Sequence, residues 1–263
     1  MTDLSRFSLE GKVAMVTGGS KGIGRMTAIG FAKAGADVII VSRKMEELEN
    51  VAAEIEEAGQ RALPISAHIG RIAELPKVVE KAAAEFGKID ILVNNAATSP
   101  AYTTILEAEE RLWDTIMNLN LKGVYFLIQS VAKVMKAHGG GSIINVSSID
   151  SLKPQNQVGI YSVSKAGLNM LTKSAALELA PYNIRVNGIA PGAVRTRLLE
   201  ALFAHFPEEE RNSEIAKMGE SMPLKRVAVP DDMVGAMIYL ASDAAAYTTG
   251  EVIVIDGGAL LAD

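Results

Sequence analysis

Short β-branched runs alternating with longer helical patterns restrict this chain to few folds. Residues 13–17 read as a buried strand and 23–34 as a helix ended by Gly35. The unit repeats as strand 38–42 with helix 45–58 closed by Gly59, then strand 62–66 with helix 72–86. A fourth strand spans 89–94, with the apolar core expected when helices cover both sheet faces. A helical region, 107–137, leads to Gly139-Gly140-Gly141; strand 142–146, helix 159–179 and strand 184–189 follow. Residues 196–225 form a less regular insertion, 231–240 a helix opened by Pro230 and Asp231, and 252–255 a last strand. Strands alternating with helices of this length specify an α/β fold, a doubly wound parallel sheet. No linker or repeat interrupts it, so residues 1–263 are read as one domain carrying the 196–225 insertion.

Composition narrows the function classes. Hydrophobic residues make up 49% of the 263, enough for one sizeable core. A formal charge of −5 supplies no basic field for a phosphate backbone, so nucleic acid is not an expected partner. There is no cysteine, which removes disulfides and thiolate chemistry and fits a reducing, cytoplasmic setting. No run approaches the ~18 apolar residues of a membrane span, and residues 1–11 resemble neither a signal peptide nor an anchor. His138 and His205 have no two-ligand spacing, so no metal is expected. The methionines, Met218 and Met222 among them, read as core or pocket filler.

Thr17-Gly18-Gly19-Ser20-Lys21-Gly22-Ile23-Gly24 lies between the first strand and the first helix. Glycines let a backbone approach a pyrophosphate closely, and the helix start offers free N–H groups and a positive dipole end. A plain structural turn is the alternative, and the place after the first strand favours the phosphate loop. Dinucleotide sites often carry an acid about 20 residues further on for the ribose 2′-OH. Here that region reads Ser42-Arg43-Lys44, with no acid before Glu46. Arg43 can pair with a 2′-phosphate, and Lys21 can add a second cation, so NADP(H) is favoured and NAD(H) remains open. Solvated surface charge is the alternative reading of Arg43 and Lys44.

Tyr161-Ser162-Val163-Ser164-Lys165 opens a helix, which places Lys165 beside Tyr161 at i+4. A cation ~4.5 Å from a phenol, at an effective dielectric of ~20, lowers the phenol's pKa by about two to three units. That would bring it near a working pH for proton transfer. Alone, the pair reads first as structural, since such i,i+4 pairs are common by chance. Ser147 and Ser148 end strand 142–146, Asn94-Asn95-Ala96 ends another, and Ala190-Pro191-Gly192 a third. In a doubly wound sheet these carboxyl ends meet at one crevice, where a serine hydroxyl can bond a substrate carbonyl.

With these motifs in this order, the chain resembles the short-chain dehydrogenase/reductase family in its compact, single-domain, Rossmann-like form, similar to NADP-dependent carbonyl and 3-oxoacyl reductase-like members. The resemblance runs from Gly11-Lys12 to Asp256-Gly257-Gly258 and includes Asn120-Leu121-Lys122. It implies Tyr161 as general acid/base, Lys165 as its modulator and ribose ligand, Ser148 rather than Ser147 as the carbonyl's partner, and Asn120 as holder of a relay water. Asn118 is the competitor, and a helix-kink asparagine the structural alternative. It further implies cofactor contacts at Gly18, Ser20, Lys21, Ile23, Arg43, Asn95, Ala96, Val194 and Thr196, with His68 and Ile69 beside the adenine. Two departures stand out: Ala97 ends NNAA where NNAG is usual, and His68 replaces an aspartate. The expected activity is hydride transfer between NADP(H) and a carbonyl or secondary alcohol. An NAD-linked alcohol or polyol oxidiser and a non-catalytic nucleotide-binding scaffold are the alternatives; the Tyr161–Lys165 spacing disfavours enoyl reduction. The insertion is expected to roof the substrate with Leu198, Leu199, Leu202, Phe203 and Phe206, helped by segments 98–104 and 152–159, or else to pack as an amphipathic helix pair. Relatives imply a homotetramer, or a homodimer, through residues 124–132, 168–176 and 252–255.

Overall fold

The structure, a computed structural model, describes residues 4–203 and 206–262. Its order is β1 (Val13–Thr17), α1 (Gly22–Lys33), β2 (Asp37–Ser42), α2 (Met45–Glu57), β3 (Ala62–Ser66), α3 (Leu75–Phe86) and β4 (Ile91–Asn94). There follow α4 (Glu110–Met117), α5 (Gly123–Ala137), β5 (Gly141–Val146), α6 (Gly159–Leu179), β6 (Ile184–Pro191), α7 (Arg197–Leu202), α8 (Glu208–Ser221), α9 (Val234–Ala241) and β7 (Val252–Ile255).

Seven parallel strands pair in the order β3-β2-β1-β4-β5-β6-β7. Alternation within each strand divides the core into two layers. Met15, Ile39, Leu92 and Ile143 pack to one side with α3, α5 and α6; Val16, Ile40, Val93 and Ile144 pack to the other with α1, α2 and α9. The helices meet the sheet through stripes at i, i+3, i+4 and i+7. Leu48, Val51, Ala52 and Ile55 do this on α2, and Leu75, Val78, Val79 and Ala82 on α3.

Strand order reverses between β1 and β4, which opens a crevice above their carboxyl ends. A buried polar ladder fixes α6 beside it. Asn94 donates to Asn145 at 2.9 Å, Asn145 to Thr172 at 2.9 Å, and Thr172 to the Leu168 carbonyl at 2.8 Å.

The sequence pattern differs from the structure in one long element. The expected helix 107–137 is broken into α4, a π-turn over Asn118–Lys122, and α5. Gly123 begins α5 where a Cβ would lie 2.4 Å from the Ile69 carbonyl oxygen, so the turn packs directly on the loop after β3. Helix 231–240 begins as a 3-10 turn, Pro230–Met233, and becomes α-helical only from Val234.

Leu92 is fully buried in a central strand. Leu92→Ala is expected to cost about 2–5 kcal/mol. Urea unfolding monitored by circular dichroism should show a lower midpoint; a loss under ~1 kcal/mol would mean the site collapses around the gap.

Candidate active site

The glycine loop after β1 is built around Thr17 and Asn95. The Thr17 hydroxyl accepts from the backbone N–H groups of Asn95 (3.0 Å) and Ala96 (3.1 Å) and donates to the Val93 carbonyl (3.1 Å). The Asn95 side chain donates to the Thr17 carbonyl (2.9 Å) and reaches the Gly18 carbonyl (3.3 Å). Gly18 has φ +65, and a Cβ there would stand 2.7 Å from Asn95 Nδ2. A Cβ on Gly24 would come within 2.3 Å of the Gly18 oxygen. Only glycine fits either position, so the first turn of α1 and the loop close into a tight cradle. Such a cradle presents backbone N–H groups at a helix start, a chemistry that fits a pyrophosphate.

The cradle forms one end of a cleft of about 950 Å³. Gly18, Lys21, Ile23, Arg43, His68, Ile69, Asn95, Ala96, Val194 and Thr196 line it, with Ser148, Tyr161 and Lys165 at the same rim. Two expected site residues stand outside its wall. Ser20 points its hydroxyl at Ser42 (3.1 Å) and Glu47 (3.3 Å). Asn120, in the π-turn, is buried behind the wall. It accepts from the Thr98 N–H (2.9 Å) and donates to the Thr98 carbonyl (3.0 Å) and Ser164 (3.2 Å). Asn118, its competitor, lines the cleft.

Tyr161 and Lys165 both come from the first turns of α6. The Lys165 amine is buried, donates to the Val146 carbonyl at 2.7 Å, and lies 5.6 Å from the centre of the Tyr161 ring. Burial pushes its pKa down to about 8 from 10.5. The phenol behaves otherwise than the sequence argument expects. Burial, and then the charge of Asp150, raise Tyr161 above its ordinary value, while a hydrogen bond with Ser148 works the other way. Desolvation is the largest influence on the phenol, and the Ser148 hydrogen bond does not offset it.

The two serines separate clearly. Ser147 donates to the Lys165 carbonyl (3.3 Å), so its hydroxyl is held by α6. Ser148 accepts from the Asp150 N–H (3.1 Å) and keeps its contact with the phenol.

Some residues in or beside the cleft carry no signal in the sequence. Asp150 stands two residues past Ser148, with its carboxyl pKa raised by burial and one oxygen buried without a hydrogen-bond partner. Leu260 shares that wall, as do Tyr102 and Gln155, which lie in the segments 98–104 and 152–159 expected from the sequence to help roof the substrate. Glu47 pairs with Lys21 at 2.8 Å. Asp150, Leu260 and Glu47 come from loops or a helix start with no periodic pattern, so no local signal marked them.

From the insertion, Leu198, Leu199, Met218 and Met222 line the cleft. Phe203 and Phe206 do not; their rings pair with each other, centroids 6.3 Å apart. His205 and the side chain of Leu202 lie outside the described residues.

The depressed amine carries a stability consequence. Below about pH 8 the folded state holds a buried charge that the unfolded chain, at 10.5, carries without cost, and this penalty fades as pH climbs towards 10.5. Lys165→Met should therefore raise the denaturant midpoint at neutral pH, with a gain that shrinks in alkali. A midpoint that falls at neutral pH would show the Val146 bond outweighing the desolvation.

Known proteins bear on this arrangement. A family model described as enoyl-(acyl carrier protein) reductase matches residues 18–259. The 2-dehydro-3-deoxy-D-gluconate 5-dehydrogenase of Escherichia coli (strain K12) is 42% identical over 97% of this chain and 98% of its own. Dehydrogenase/reductase SDR family member 4 of Sus scrofa is 38% identical over 96% of this chain and 88% of its own. A gluconate 5-dehydrogenase from Burkholderia cenocepacia J2315, solved with NADP and tartrate, superposes with a TM-score of 0.91 at 33% identity, each chain covered in full at 100%. Solved neighbours hold NADP in some cases and NADH in others. By sequence, fold and the order of its motifs, the chain belongs to the short-chain dehydrogenase/reductase family of oxidoreductases.

Proposed function

We propose that this chain is an NADP(H)-preferring oxidoreductase that moves a hydride between the nicotinamide and a carbonyl or secondary alcohol. The observation that carries the reading is the convergence of the Tyr161 phenol, the Ser148 hydroxyl and the Lys165 amine on the cleft that begins at the glycine cradle.

In this proposal Gly18, Ser20, Lys21 and Ile23 form the pyrophosphate end and Arg43 faces the 2′-phosphate. His68 and Ile69 flank the adenine, Asn95 and Ala96 the middle of the cofactor, and Val194 and Thr196 the carboxamide. Bound there, the nicotinamide supplies or takes up the hydride. Ser148 donates to the carbonyl oxygen as negative charge builds on it, a preorganised donor in a partly dry site. Tyr161 gives its O–H proton to that oxygen during reduction and takes it back during oxidation. Lys165, when charged, favours the phenolate left behind and reaches the nicotinamide ribose. Asn120 keeps the place in the proton relay implied by the resemblance. Its side chain is already bonded to Thr98 and Ser164, so the water contact falls to its main chain.

The substrate end has an apolar roof, from Leu198, Leu199, Met218 and Met222, and a polar wall at Asp150, Tyr102 and Gln155. The insertion 196–225 is therefore proposed as the substrate loop. The polar wall favours a second reading, oxidation of a polyol with NAD, since a carboxylate accepts hydrogen bonds from hydroxyls. The same proposal has the enzyme acting on a small molecule in the cytoplasm as a homotetramer or homodimer. Half-exposed apolar side chains at Tyr125 and Met170, on α5 and α6, support the assembly. Among the described residues no helix is long and apolar enough to cross a membrane.

A panel of ketones, secondary alcohols and polyols, followed by nicotinamide absorbance with both cofactors, tests the activity. Tyr161→Phe removes the proton donor and keeps the ring, and should lower kcat by about 100-fold or more while cofactor binding persists. Turnover surviving within a few-fold would overturn the mechanism, and silence across the whole panel would leave the scaffold alternative standing.

A further inference from the structure

The sequence offers two cations for a 2′-phosphate, Lys21 and Arg43, and the structure treats them differently. Lys21 Nζ lies 2.8 Å from Glu47 Oε1, and Lys44 Nζ lies 3.5 Å from the same oxygen. The other carboxylate oxygen accepts from the Ser20 hydroxyl at 3.3 Å, and Ser20 is 3.1 Å from Ser42. Glu47 stands in the first turn of α2, directly after the Ser42-Arg43-Lys44 end of β2. Lys21, chiefly through its hydrogen bond, holds the carboxyl below the usual range, so Glu47 is charged at neutral pH. Arg43 lines the cleft and makes no side-chain ion pair among the described residues.

We infer that Glu47 is a cofactor-selectivity residue that opposes the 2′-phosphate, engaging Lys21 and the Ser20 hydroxyl and leaving that group to Arg43, the one of the two loop cations without an ion pair among the described residues. This rests on reading the cleft as a dinucleotide site. A 2′-phosphate approaching Ser20, Lys21 and Arg43 meets a fixed carboxylate and must draw Lys21 away from it. A ribose 2′-OH meets no such repulsion, and the carboxylate can accept its hydrogen. The consequence is a muted preference: NADP(H) is favoured through Arg43, and NAD(H) is still admitted through Glu47.

An acid in a first helical turn also stabilises the helix whatever it touches. Glu46 occupies the same turn without the contacts to Lys21 and Ser20, so it is the control. NADPH and NADH are titrated into the full chain, and dissociation constants are read from nicotinamide fluorescence. Glu47→Gln should raise the NADPH-over-NADH affinity ratio at least about fivefold at low salt, with the gain shrinking as salt screens the charges. Glu47→Ala should do the same, which guards against a folding defect peculiar to one variant. Glu46→Gln should shift the ratio by less than about twofold. A smaller rise for both Glu47 variants, or an equal rise for Glu46→Gln, overturns the inference. If the unmutated chain binds neither dinucleotide, the cofactor reading itself fails; if it binds both and the ratio stays put, only the assignment to Glu47 fails.

Discussion

The Lys165 amine donates to the Val146 carbonyl at 2.7 Å, and that bond holds the start of α6 against the end of β5. Residue 146 is the last of its strand, the next two residues are the serines, and Tyr161 sits one turn before Lys165 on the helix. One contact therefore sets the spacing between Ser148 and Tyr161, although neither takes part in it. The Asn94–Asn145–Thr172 ladder repeats the arrangement deeper in the layer, so α6 is attached to the sheet at two levels by polar contacts. Burying a lysine to make such a joint is costly, and the depressed pKa of the amine records the cost.

The same burial shapes the chemistry. A phenol and an ammonium in one dry pocket are each driven towards the neutral form, Tyr161 upwards and Lys165 downwards. Asp150 adds to the first effect by placing negative charge near the phenol. The protein alone thus favours a protonated tyrosine, the form required of a proton donor in carbonyl reduction.

Much of this was readable in the residues because it is local. The glycine loop, the i,i+4 relation of Tyr161 and Lys165, and the position of Ser148 at a strand end are all short-range patterns that the parallel sheet gathers to one rim. What could not be read depends on three-dimensional direction. Spacing placed Lys165 beside Tyr161, but only the fold sends its amine to a carbonyl and shows burial as the largest influence on the phenol. Glu47 and Asp150 each act across a loop, with no periodicity to flag them. The break at Asn118–Lys122 had only the helix-kink reading of Asn120 to mark it: no proline or glycine lies within residues 107–122, and apolar residues at 112, 116 and 119 continue the helical pattern. Phe203 and Phe206 had the right character for a pocket, yet their rings satisfy each other.

The π-turn has a consequence beyond the hydrogen bonds of Asn120. Each widened turn takes in one residue more than an α-turn, so α5 emerges rotated by about a quarter revolution from the line α4 would have followed. That phase change lets α4 bury little beyond Ile116 while α5, on the same continuous rod, commits Val124, Leu127, Ile128 and Val131 to the core. The extra residue is a length change stored inside a helix rather than in a surface loop. Its removal would not simply shorten the chain; it would swing every later side chain of α5 off the sheet.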